Sequence, residues 1–327
     1  MAKNIRASRF TLAALVSHRS RLAAAIALTL AAALPAAAQS YTPACTGNAP
    51  GGELVAQRVA SSTRADAGLF EGPVWVNGAL YFSDFTFQAG YPSRIQKLSA
   101  DGSVSTVLDN AGTNGMAVDA QGNLVTANHK ASGIVRINPI TLQQSTVVNQ
   151  YNGAPFNSPN DLAIAADGTI YFSDPSYQHD PALPGQPSTN VYRRAPNGSV
   201  TVVDSTLTQP NGVTLSPDGR VLYVATGAGS VRAYPIVGGL PQAGSNFLTG
   251  LESPDGMAVD CFGNLYVTEH TAQRVRVFSP AGKQLALIRV DANITNVAFG
   301  NADRRTLYIT GAGAVWKLQL SAPGNPY

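Results

Sequence analysis

Charge is scarce in this 327-residue sequence: Asp, Glu, Lys and Arg make up 13% of it. It holds two cysteines, three methionines, two tryptophans and four histidines. Each shortage narrows the field. Cys45 and Cys261 permit one disulfide and no cysteine framework. There is no Gly-x-Ser-x-Gly elbow, no phosphate-binding loop and no His-Glu-x-x-His pair, so the familiar serine-hydrolase, nucleotidase and zinc-protease signatures are missing. No amphipathic helix or low-complexity tail stands out. The one long apolar run, Leu22 to Leu34, is alanine-rich and short for a membrane span.

That run sits in a leader. Lys3, Arg6, Arg9, Arg19 and Arg21 precede or flank it, Ala36-Ala37-Ala38 before Gln39 fits a small-residue cleavage site, and no lipobox precedes Cys45. Residues 1–38 therefore read as a signal peptide. The whole chain carries a formal charge of +3. Removing five basic groups and no acids leaves 17 basic against 19 acidic residues, a charge of −2. The expectation is a periplasmic or secreted monomer with no nucleic-acid partner and no membrane attachment after cleavage.

What the sequence has in abundance is repetition. Glu71, Asn114, Asn160, Asn211, Asp255 and Asn296 each open a short apolar strand. They lie 43, 46, 51, 44 and 41 residues apart. A turn and a second strand follow each, as in Asp255-Gly256-Met257-Ala258-Val259, Phe262-Gly263-Asn264 and Leu265-Tyr266-Val267-Thr268. A period of 40 to 50 residues built of short strands marks a β-propeller. The expected fold is all-β: six blades of about four antiparallel strands. Glu53–Val59 is expected to supply the strand that closes the last blade and removes an open edge. Residues 39–52 then form a lead-in, 53–320 the propeller and 321–327 a tail. If that closing strand joins blade 6, Cys45 and Cys261 become neighbours; two free buried thiols are the alternative.

In a propeller the first strand of each blade lines the central channel. The six openers then ring one mouth, and the residues after each second strand rim it: Ser83-Asp84, Asn128-His129, Asp174, Gly227, Glu269-His270 and Gly311. The proline-rich segment Asp174–Pro187 leaves the same face, and long loops on rigid scaffolds tend to cover or bind something. Every opener carries a side-chain oxygen and two are acids, a donor set that suits a hard cation. The competing explanation for each Asn-Gly or Asp-Gly is simple turn chemistry. Glu71 fits that explanation least, because Glu does not favour turns. Asp119 and Asp260 read as turn residues. Asp161, just after an opener, is placed to hold its loop by hydrogen bonds. His129 and His270 sit where they can assist proton transfer.

Four stretches carry a family resemblance: Glu71-Gly72-Pro73-Val74-Trp75; Phe156–Asp161 with Tyr171–Pro175; Pro210-Asn211-Gly212-Val213 with Leu215–Asp218; and Pro254-Asp255-Gly256-Met257. Together they resemble the senescence marker protein (regucalcin)/gluconolactonase family, from about Leu69 to Leu318. The resemblance implies a six-bladed propeller that hydrolyses lactones with one divalent cation, calcium first, with zinc, manganese or magnesium as alternatives. It implies Glu71, Asn211 and Asp255 as metal ligands, with Asn160 touching the metal, its water or the substrate, and Asp255 doubling as general base. Asn114, Asn160, His129, Asp174, Tyr177 and His270 are the candidate substrate contacts. The chain departs from the common sugar-lactonase pattern around Tyr177-Gln178. Other functions open to the same ring are a non-catalytic, metal-stabilised binding propeller and an arylesterase or phosphotriesterase.

Overall fold

The computed structural model describes residues 44–62, 64, 66 and 68–325. The expected signal peptide lies outside the described residues. Among the described residues no helix is long and apolar enough to cross a membrane.

Six sheets of four or five strands follow one another along the chain, each beginning at or beside an opener, with a small two-stranded hairpin, Gln150–Tyr151 and Ala154–Pro155, between the second and third. Blade 1 is Leu69–Val76, Ala79–Phe85, Ser93–Leu98 and Val104–Leu108. Blade 2 is Thr113–Val118, Leu124–Asn128, Gly133–Ile137 and Gln144–Val148. Blade 3 is Leu162–Ile164, Ile170–Asp174, Asn190–Arg194 and Val200–Asp204. Blade 4 is Pro210–Leu215, Val221–Thr226, Ser230–Val237 and Ser245–Leu248. Blade 5 is Pro254–Val259, Leu265–Glu269, Arg274–Phe278 and Gln284–Arg289. Blade 6 is Ile294–Gly300, Thr306–Gly311 and Ala314–Gln319, completed from the N-terminus. The first strands touch their neighbours in a closed circuit, blade 6 against blade 1 included.

Strand alternation builds the core. Successive side chains point to opposite faces of a sheet, so each blade offers one apolar set to the blade before it and another to the blade after. In blade 1, Leu80 and Phe82 pack with Tyr308 and Val315 of blade 6. Ala79 and Tyr81 pack with Met116, Leu124 and Val135 of blade 2. The same division produces an apolar cluster at every blade junction. One slip in register would expose both sets at once, which ties each strand to its place.

The N-terminal segment closes the ring in two pieces rather than one. Gln57–Ser61 is the antiparallel fourth strand of blade 6, as expected. Gly52–Val55 instead runs parallel to Gln284–Arg289 as a fifth strand on blade 5. Ala56 marks the crossing: it is buried, it packs in the junction of blades 5 and 6, and its N–H donates to the Arg289 carbonyl at 3.0 Å. Cys45 is bonded to Cys261 beside the blade 5 turn, with their Cα atoms 5.5 Å apart. The segment is thus fastened at its start as well as along its length.

Candidate active site

The openers do not sit in turns. In blades 2, 4 and 5 the opener and its glycine form a bulge that opposes a single residue of the second strand: Asn114-Gly115 opposite Ala127, Asn211-Gly212 opposite Ala225, Asp255-Gly256 opposite Thr268. In blade 1 the bulge falls on Gly72-Pro73. A bulge breaks the alternation and re-aims one side chain, which is how an opener points into the channel while its strand still packs on both sides. The turn chemistry lies at the far ends of these strands. There Asn77-Gly78 takes positive φ at both residues (51° and 76°), and Asp119 and Asp260 cap their turns by accepting backbone N–H groups.

Each opener segment touches the next, and the contacts close a ring. A Cβ on Gly72 would lie 2.5 Å from the Asn114 carbonyl oxygen. The Gly115 N–H donates to the Asn160 carbonyl at 2.7 Å, and Gly115 packs on Asp161. Asp161 Oδ2 accepts the N–H of Val213 at 2.9 Å. A Cβ on Gly212 would meet the Asp255 carbonyl oxygen at 2.2 Å, and one on Gly256 would meet the Asn296 side chain at 2.0 Å. Asn296 Nδ2 donates to Glu71 Oε2 at 3.3 Å. Glycine is required because the ring is too tight for side chains at these positions. In blade 3 the glycine is replaced by Asp161, which makes the contact with its carboxylate.

Hydroxyls on the second strands hold the ring from behind. Ser83 Oγ donates to the Asn114 carbonyl at 2.6 Å. Thr268 Oγ1 reaches the carbonyls of Gly256 and Thr295. Ser173 Oγ accepts the N–H of Asp161. Sequence reasoning did not single out this belt. Its signal is a Ser or Thr two residues into the Tyr-Phe-Ser, Tyr-Val-Thr and Tyr-Ile-Thr phrases of the second strands.

Electrostatics inside the ring is one-sided. Burial, and then the Asp161 charge, push the Glu71 carboxyl up to about 8. Burial pushes Asp161 up to about 7, with the Val213 and Leu162 N–H groups pulling the other way. Burial, then Glu71, then Asp161 raise Asp255 well above the usual carboxylate range. Three acids share one desolvated space, and full ionisation of all three needs a cation to offset it. Among the described residues, both amide atoms of Asn114 and the Oδ1 of Asn211 are buried with no hydrogen-bond partner. Buried polar atoms are rarely left so. This donor set fits a hard divalent ion. Among the described residues, no three His, Cys, Asp or Glu side chains converge as a metal-binding cluster. Any ion would therefore depend on amide oxygens alongside two carboxylates.

The remaining candidates divide. Tyr177 comes to the ring: its phenol lies beside the Asn211 amide and feels the Asp255 charge, and burial raises it to about 12. The residues on either side of it are pinned. Ser176 N–H donates to Gln209 Oε1 at 2.9 Å, and Gln178 N–H donates to Ser158 Oγ at 3.3 Å. Asp174 is fully buried beneath the loop, its two oxygens accepting the N–H groups of Asn157 and Ser158. It positions the segment that carries Asn160. His129 Nε2 bonds the Tyr91 carbonyl at 2.8 Å, and burial lowers its basicity. His270 is half-buried with Nδ1 on the Ile294 carbonyl at 2.6 Å, leaving Nε2 as its available nitrogen.

Comparison with known proteins places the fold in a family. The family model described as the SMP-30/Gluconolactonase/LRE-like region matches residues 69–313. A gluconolactonase of Zymomonas mobilis is 30% identical over 94% of this chain and 99% of its own length. The structure of a gluconolactonase from Xanthomonas campestris superimposes with a TM-score of 0.70 at 32% identity, covering 85% of this chain and all of the other. A calcium-binding protein, regucalcin, from Agrobacterium tumefaciens shares the fold with a TM-score of 0.70 at 18% identity. By the ring of openers, the six blades and the extent of the match, this chain belongs to the SMP-30/gluconolactonase/LRE-like family.

Proposed function

We propose that this protein opens the ring of a lactone by hydrolysis, with one divalent cation at the channel mouth. The observation that carries the reading is the meeting of Glu71 and Asp255 with the Asn114 amide and the Asn211 Oδ1, both without a hydrogen-bond partner among the described residues, at one end of the propeller. Lactone hydrolysis is supported by the relatives named gluconolactonase and lactonohydrolase. Glu71, Asn160, Asn211 and Asp255 would hold the cation, calcium being favoured by an all-oxygen donor set. When bound, such an ion supplies Lewis-acid polarisation of a carbonyl oxygen and offsets the charge of the two acids.

The chain's own residues do the rest. Asp255 is the least enclosed of the ring acids and accepts a proton from the attacking water. Asp161 holds the backbone of blade 4 at Val213, which fixes where Asn211 points. Asn114 offers an amide to orient the substrate. Two hydroxyl contacts between neighbouring blades, Ser83 to the Asn114 carbonyl and Thr268 to the Thr295 carbonyl, keep the openers from drifting apart. The disulfide between Cys45 and Cys261 supports an oxidising compartment, and with the leader it supports export to the periplasm or beyond.

The test is lactone hydrolysis by the mature protein, stripped with chelator and then given calcium, zinc, manganese or magnesium singly, with Glu71→Gln alongside. Loss on stripping, return with one ion and loss in the variant are the expected results. Hydrolysis that is indifferent to chelator would overturn the metal requirement. No hydrolysis of any lactone with ion binding intact would leave a binding propeller.

A further inference from the structure

The six openers share one register, yet their side chains are not equivalent. Both amide atoms of Asn114 and the Oδ1 of Asn211 have no hydrogen-bond partner among the described residues. Asn296 is the opposite case. Its Oδ1 accepts the N–H of Val297 at 2.8 Å, and its Nδ2 donates to Glu71 Oε2 at 3.3 Å. These partners fix which end of the amide is which, because a backbone N–H needs an acceptor and an ionised carboxylate needs a donor. The repeat pattern counts Asn296 as one more oxygen donor of the ring. In the folded protein that oxygen is already occupied.

Asn296 also stands between the two acidic openers. Gly256, the residue after Asp255, is on one side of it and Glu71 on the other. A Cβ on Gly256 would lie 2.0 Å from the Cγ and Oδ1 of Asn296 and 2.5 Å from its Nδ2, so the amide fills the space that the glycine leaves. The strand that carries it, Ile294–Gly300, is anchored to both neighbouring blades. From blade 5, Thr268 Oγ1 donates to the Thr295 carbonyl at 2.8 Å and His270 Nδ1 to the Ile294 carbonyl at 2.6 Å. Toward blade 1, Thr295 Oγ1 donates to the carbonyl of Phe70, the residue before Glu71. Glu71 Oε2 also accepts the Gly72 N–H at 3.0 Å. It thus receives two hydrogen bonds, and neither falls on Oε1. Two donors on one oxygen fix the rotation of a carboxylate and offset part of its charge. Partners of this kind behind a metal ligand change metal affinity by about 10- to 100-fold.

We infer that Asn296 is a positioning residue and not a ligand: it holds Glu71 by Oε2 and leaves Oε1 for the cation. This rests on the cation site proposed above and deepens it, by separating the openers that would hold the ion from the one that orients a holder. An amide is required at this position. Aspartate would set a second carboxylate oxygen against Glu71 Oε2, and leucine, with the same branched outline, offers no donor.

The test is isothermal titration calorimetry on the mature protein, stripped with chelator, dialysed free of it and titrated with calcium, zinc, manganese or magnesium singly. For an ion that wild type binds, Asn296→Leu should raise Kd by about 10- to 100-fold. Asn296→Ala, which removes every atom beyond Cβ and cannot crowd Gly256, should do the same. Tm in chelator is read beside each titration, because a merely structural role would lower Tm and leave Kd where it was. If the leucine variant melts well below wild type, the alanine variant decides. An unchanged Kd in a variant that melts like wild type overturns the inference while leaving the cation site intact. A wild-type protein that takes up none of the four ions overturns the cation site, and this inference with it.

Discussion

Gly212 and Asp255 are in backbone contact across the junction of blades 4 and 5: a Cβ on Gly212 would stand 2.2 Å from the Asp255 carbonyl oxygen. The catalytic candidate is thus placed by a glycine in the neighbouring blade. Gly212→Ala should displace Asp255, since backbone cannot give way as a flexible side chain does. We expect a stability loss of about 1–3 kcal/mol and a fall in lactone turnover of about a hundredfold. Denaturant melts and kinetics on the same preparation check both. Turnover at the wild-type level would show that the bulge tolerates the shift.

Asp255→Asn keeps the shape of the side chain and removes the base. Turnover should fall by about 10²- to 10⁴-fold with the far-ultraviolet circular dichroism unchanged. Because burial and the neighbouring acids strain the carboxyl, this variant should melt no lower than wild type when no cation is present. The paired measurement is kcat at saturating cation and Tm in chelator.

Glu269 supplies a pH dependence. Burial alone would raise its carboxyl, but Arg274, the Glu252 N–H and Arg276 outweigh burial and hold it below 4.5. A folded-state value below the unfolded one stabilises above about pH 4.5, and that stability is lost as pH falls toward the depressed folded value. Tm measured from pH 6 down to pH 3 should decline across this interval. Glu269→Gln should flatten that decline and cost about 2 kcal/mol at neutral pH, by leaving two guanidinium groups short of an acceptor.

The Cys45–Cys261 bridge spans 216 residues. Chain-entropy reasoning assigns such a loop about 5 kcal/mol at most. Cys45→Ser/Cys261→Ser should lower the denaturant midpoint, and reductant should do the same to wild type and nothing further to the variant. Lactone turnover at 25 °C should be unaffected, because the bridge lies by the turn of blade 5 and the openers line the opposite mouth.

Much of this was legible in the chain itself because propeller blades repeat. The interval between openers, the glycine turns and the period-2 alternation each follow from local chemistry, so the blade number and the identities of Glu71, Asn114, Asn160, Asn211, Asp255 and Asn296 stood out without coordinates. The closing strand was visible too, as an apolar alternation with no partner nearby. Its division at Ala56 was not, since a one-residue crossing from blade 5 to blade 6 leaves no local mark.

The sequence alone determined that the chain has six blades and that its polar openers share one register, because both are statements about period. Tertiary structure decided the rest. It made bulges of the opener-glycine pairs, for which simple turn chemistry had been the competing explanation, since the need for glycine comes from the next blade's backbone, an average of some forty-five residues away. It made Asp174 and Glu269 supports rather than free rim groups, since their partners, Asn157 and Arg274 among them, are set by loop packing. It also brought Tyr177 to Asn211 and Asp255, through a fold of the blade 3 loop that no spacing along the chain encodes.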